Sequence, residues 1–129
     1  MISSPYEKYR QSSVQTSSPA QLLLMLFDGA VRFAKMAIDG IESADMDKMT
    51  VNFGKAQAIV RELTNTLDHS YEVSKGLATM YEYISYLFTE ANLKKSKAQA
   101  EEAIGYLQDF RQTFAQAAKL AAGQNVQHG

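Results

Sequence analysis

The chain contains no cysteine, which excludes disulfides and thiolate-held metals. Its two histidines, His69 and His128, are far apart in the sequence. A helical di-iron centre takes Glu-x-x-His pairs, yet three residues before His69 stands Thr66. No Gly-rich phosphate loop, nucleophile elbow or zinc-ligand spacing occurs. Positive charge is sparse too. The formal net charge is -1, and the densest basic stretch is Lys94 to Lys97, which reads as a polar turn between helices; a nucleic-acid binder needs a concentrated basic face. No apolar run approaches the ~20 residues that cross a bilayer. Met1-Ile2-Ser3-Ser4-Pro5 lacks the basic flank and apolar stretch of a secretory signal. The expectation from these absences is a cytoplasmic protein that is no enzyme, holds no metal or other cofactor, binds no nucleic acid and inserts in no membrane. Missing cysteine suits a reducing compartment.

At 129 residues, 46% of them hydrophobic, the chain fits one domain with one core. Residues 1–18 stand apart as a flexible N-terminal arm, with six serines and only Ile2, Tyr6, Tyr9 and Val14 as large apolar groups. Ser18-Pro19 then makes a helix start, serine at the N-cap and proline at the first helical position. The first helix is expected from Pro19 to about Ser43. Gln21, Asp28, Arg32, Lys35 and Asp39 fall in one narrow polar stripe, which leaves an apolar sector of roughly 260° where a surface helix shows a little over 100°. Such a helix needs cover on more than one side.

Three further helices follow by their apolar spacing. The second spans about Met46 to Ser70 with Met49, Phe53, Ala56, Val60, Leu63 and Leu67 on one face; His69 then sits by its C-terminus, where partial positive charge is favourable. The third spans about Ser74 to Leu93 with Leu77, Met80, Tyr81, Ile84, Leu87, Phe88 and Ala91. The fourth runs from about Ser96 to Ala122 with Ala100, Ala103, Ile104, Leu107, Phe110, Phe114, Ala117 and Ala118, and Gly123 ends it. Short links join antiparallel neighbours, so the expected fold is an all-α, antiparallel up-down four-helix bundle over residues 19–122, with a polar tail at 123–129.

Some residues fit that scheme less simply. Asp28–Arg32 and Lys35–Asp39 read as surface pairs worth a few tenths of a kcal/mol. Arg111 falls on the core side of the fourth helix, its stem on apolar neighbours and its guanidinium reaching water or a carboxylate. Gly29, Gly54 and Gly105 lie inside helices, each costing about 1 kcal/mol relative to alanine; close helix packing is one explanation, a soft bundle that firms on binding another. Tyr86 falls opposite the core face of the third helix, and Tyr83 to one side among Thr79, Glu82 and Glu90. Exposed tyrosines favour interfaces because they add area at low entropic cost. The excess apolar surface of the first helix and the arm's Tyr6 and Tyr9 point the same way, to a polypeptide partner. A homodimer seam, or more broadly a self-assembling structural protein, is the alternative use of that surface.

The order of these segments resembles a known family. Pro5-Tyr6-Glu7-Lys8-Tyr9, Val14 to Pro19 and Gln21 to Phe33 look like the opening signature of the FliS family of flagellin export chaperones. The match continues through Lys55 to Leu63, Leu67, Met80 to Ile84, Leu87 and Ala91-Asn92, ending near Phe110-Arg111 and Phe114. Phe27 and Phe114 stand where the family leads one to expect tyrosine and tryptophan. The resemblance implies a bundle that captures the disordered C-terminal segment of flagellin, prevents its early polymerisation and passes it to the flagellar export gate of a type III secretion system. Carried over position by position, it points to Tyr6, Tyr9, Thr16 and Pro19, to Leu22, Leu26 and Phe27 on the first helix, and to Tyr81, Tyr83 and Leu87 on the third. Leu22, Leu26, Tyr81 and Leu87 lie on core faces, which favours a structural role for them.

Overall fold

The computed structural model describes residues 18–128, with side chains described as far as Gly123. Four helices make up these residues: α1 (Pro19–Glu42), α2 (Met46–Asn65), α3 (Val73–Lys94) and α4 (Lys97–His128). Helix α1 packs on α2 and α4, and α3 packs on the same two. The short connections alternate the direction of successive helices, and the result is the expected four-helix bundle.

The start of α1 is fixed by local chemistry. The Ser18 hydroxyl accepts the Gln21 N–H at 3.2 Å, while the Gln21 side chain accepts the Ser18 N–H at 3.1 Å. Pro19 at the first position loses no hydrogen bond there. At the other end the chain reverses over three residues, with Ala44 in the left-handed region at φ 57° and the Asp45 carboxylate capping α2 through the Lys48 N–H. Gly40 makes this reversal fit. A Cβ at that position would lie 2.6 Å from the Met49 nitrogen and 2.9 Å from the Asp45 carbonyl oxygen.

Two boundaries differ from the expectation. Helix α2 stops at Asn65, five residues before Ser70. The Thr66 hydroxyl donates to the Leu63 carbonyl at 2.6 Å, and the Asp68 carboxylate accepts both the N–H and the hydroxyl of Ser70, at 3.0 and 2.6 Å. Such side-chain bonds offer the backbone an alternative to the helix. Leu67 still packs against the core, so the apolar rhythm outlasts the helix. His69 accordingly sits exposed in the connection, not at a helix end. The second difference is Gly123, which does not end α4: the helix continues to His128. A glycine costs a helix about 1 kcal/mol, and helical neighbours on both sides carry it through.

The core joins all four helices. Leu26, Phe27, Phe53, Ile59, Leu63, Tyr81, Ile84, Phe88 and Leu107 are fully buried. At its centre Phe27 from α1 stacks on Phe114 at 5.6 Å and on Phe110 at 6.4 Å, both from α4. Tyr81 of α3 meets Phe110 edge-on at 5.8 Å and Phe27 at 6.3 Å. A second contact, Phe53 on Phe88 at 5.9 Å, ties α2 to α3. Aromatic pairs of this kind add about 0.5–1.5 kcal/mol each beyond area burial.

Candidate polypeptide-binding surface

Chemistry at the surface begins with what α1 shows of its apolar sector. Leu26, Phe27, Ala30, Ala34 and Ala37 are wholly inside. Leu22, Leu23, Leu24 and Met25 are only partly covered, as are Val31, Phe33 and Ile38, and Met36 is 38% exposed. The wide sector is therefore used on both flanks: small alanines seat the helix deep, and larger groups rim it. Near its start Pro19, Ala20, Leu22 and Leu23 line an open cleft of about 350 Å³, with Leu26 buried beneath it and Thr66 closing the other side.

The candidate residues separate accordingly. Pro19 and Leu22 border that cleft. Leu26 and Phe27 present no surface in this conformation, both being fully buried; they shape the α1 wall from within and are not available for direct contact. Tyr81 and Leu87 are likewise core residues, as their helix face suggested. Tyr83 and Tyr86 lie on the surface, 39% and 53% exposed. Tyr6, Tyr9 and Thr16, with the arm that carries them, lie outside the described residues.

Two arrangements escape a reading of single helices. Asp28 pairs with Arg111 of α4, whose Nε and Nη2 donate to the two carboxylate oxygens at 2.9 and 3.3 Å. A sequence spacing of four suggests Arg32 for Asp28, but Arg32 instead lies 5.2 Å from the centre of the Phe33 ring, with Lys55 of α2 at 5.4 Å from the same ring. The forked Asp28–Arg111 pair clasps α1 to α4, next in sequence to the stacked Phe27 and Phe110. The second arrangement is aromatic. Tyr83 and Tyr106 donate their hydroxyls to one oxygen of Glu102, at 2.9 and 3.2 Å. Tyr86 stacks on Tyr83 at 6.2 Å, and Tyr106 tilts against Tyr83 at 6.1 Å. The Glu102 carboxylate raises both phenols above the usual tyrosine range, since ionising either would break its bond and add a like charge. Glu102 and Tyr106 stand four apart on α4, a spacing that hints at contact; nothing in the sequence joins them to Tyr83.

Among the described residues no group of three metal-ligating side chains converges, and no helix is long and apolar enough to cross a membrane. The clefts are open grooves between helices, lined by mixed side chains. The fold and this surface define a small helical-bundle protein whose polar and aromatic groups are arranged along helix faces. Residues 2–121 match the family model described as flagellar protein FliS, and the chain belongs to that family of flagellar secretion chaperones. It is similar to the flagellar secretion chaperone FliS of Bacillus subtilis (strain 168), with 39% identity over 90% of this chain and 87% of that protein. The flagellar secretion chaperone FliS of Campylobacter jejuni is 31% identical over 83% of this chain and 88% of its own length. That of Salmonella typhimurium is 30% identical over 88% and 87%.

Proposed function

We propose that this protein is a cytoplasmic export chaperone for flagellin, holding the disordered C-terminal segment of its client, blocking premature polymerisation and delivering it to the flagellar export gate. The observation that carries the reading is the half-covered apolar rim of α1, with Leu22 and Leu23 in the open cleft beside Thr66, in a chain of this family. An amphipathic client segment laid into apolar grooves is a standard mode of recognition. A disordered client gives up ordering entropy on binding, so a long wrapped contact is needed, and a bundle with several open grooves offers one. Thr16, Pro19 and the arm tyrosines Tyr6 and Tyr9 belong to the same proposed surface.

Size-exclusion chromatography with light scattering tests it. Mixed with flagellin, the protein is expected in a 1:1 complex that is lost when the C-terminal segment of flagellin is deleted. A homo-oligomer indifferent to flagellin would overturn the proposal in favour of a self-assembling protein.

A further inference from the structure

The tyrosine cluster on α3 and α4 is not explained by the flagellin reading. The seam between these helices lies across the bundle from the α1–α2 seam, away from the cleft of Leu22 and Leu23. A hydrogen bond that merely staples two helices needs one tyrosine and one acceptor. Here two tyrosines converge on one carboxylate oxygen, and a third ring, Tyr86, stacks on Tyr83. Both hydroxyl bonds fall on Glu102 Oε2, although a carboxylate has room for about four donors over its two oxygens. Among the described residues no basic side chain pairs with Glu102. Lys94, on the outer face of α3, is held by Glu90 at 2.9 Å, and the exposed Asp109 adds negative charge about two turns along α4 from Glu102. The face thus combines exposed aromatic rings with an anion that has no cation.

We propose that the Tyr83–Tyr86–Tyr106–Glu102 cluster is a second docking site, which takes an arginine side chain presented by a partner polypeptide. Guanidinium is the matching group on two counts. Its plane stacks on a tyrosine ring such as the half-exposed face of Tyr86. Its N–H fork suits a carboxylate, and Glu102 Oε1 stands ready to accept it. Lysine can meet the charge but not the plane. The two tyrosine hydroxyls hold the carboxylate in position before the partner arrives, so little side-chain freedom is lost on docking.

The test uses the full-length protein with tyrosine rings labelled for NMR, titrated with the end-blocked peptide Gly-Gly-Arg-Gly-Gly and its lysine and citrulline counterparts. The arginine peptide is expected to give saturable shifts on Tyr83, Tyr86 and Tyr106, with weaker binding by lysine and none by citrulline. Glu102→Gln keeps an oxygen for both hydroxyls but removes the charge; it is expected to weaken the arginine peptide about tenfold with melting little changed. Tyr86→Leu, which leaves the carboxylate intact, is expected to weaken it as well. Flagellin binding is expected to be unaffected by either variant. Shifts that never saturate, or that survive Glu102→Gln unchanged, overturn the site. A concentration-dependent dimer abolished by Glu102→Gln also overturns it, giving the face to a second copy of the chain. Loss of flagellin binding in Glu102→Gln assigns the cluster to the client and overturns a separate site. The peptide titration reads out whether or not flagellin proves to be the client.

Discussion

Within six residues of one helix, tyrosine is used in two opposite ways. Tyr81 is 1% exposed, wedged between Phe27 and Phe110. Tyr83 and Tyr86, on the other side of α3, stack on each other in view of solvent. Residue type is constant, so the helical angle alone decides between filling a core and furnishing a surface. Environment then sets the chemistry. Burial pushes the Tyr81 phenol up to about 12, whereas the phenols of Tyr83 and Tyr106 are raised chiefly by the neighbouring Glu102.

The contrast breaks first under truncation. Tyr81→Ala empties the junction of α1, α3 and α4 and is expected to cost about 3–5 kcal/mol, as large aromatic deletions in cores do; urea unfolding measures it. A smaller effect separates the two kinds of tyrosine by pH. Between pH ~10 and ~12 the unfolded chain loses the Tyr81 proton while the folded chain keeps it. The folded state then binds more protons, so stability falls as pH rises through that window, by up to about 3 kcal/mol. Tyr81→Phe is expected to flatten the decline, as followed by denaturant midpoints at pH 9 and pH 11.

Breaking the Asp28–Arg111 clasp tests whether the buried wall of α1 needs its polar edge. Both side chains are about half exposed, so Asp28→Asn is expected to lower stability by only about 0.5–1 kcal/mol, again by urea unfolding. The least effect on folding is expected from Tyr86→Ala, a melting shift of about 2 °C or less, with weakened binding of the arginine peptide as its readout. A drop of many degrees there would erase the distinction between the two faces of α3.

How far these features could be read in advance follows from the range of the forces involved. Ser18, Pro19 and Gln21 act within one turn, and the start of α1 was legible from them. Core faces were legible too, since Met49, Phe53, Ala56, Val60 and Leu63 recur at spacings of three and four and are all buried. The end of α2 was not. Leu67 continues the apolar rhythm, and only the bonds of Thr66 and Asp68 show that the chain has already left the helix. Contacts between helices were hidden for another reason: Asp28 has a base four residues on, yet its partner is 83 residues away. Glycine shows the same limit. Gly54 and Gly105 have nothing within 4 Å of where a Cβ would sit, so close packing does not account for them. Gly40, by contrast, has backbone atoms of Asp45 and Met49 within 3.0 Å of that point, and the fold requires its missing side chain.

Gly40 has a consequence for the order in which the molecule is made. By letting the end of α1 touch the first turn of α2 backbone to backbone, it closes a hairpin between neighbours in sequence, where little chain entropy is spent on closure. That hairpin can form while later residues are still being added to the chain, leaving α3 and α4 to complete a template already half built. Gly40→Ala is therefore expected to slow refolding more than it hastens unfolding, visible as a shift of the folding arm of the denaturant chevron. A change confined to the unfolding arm would place the hairpin late.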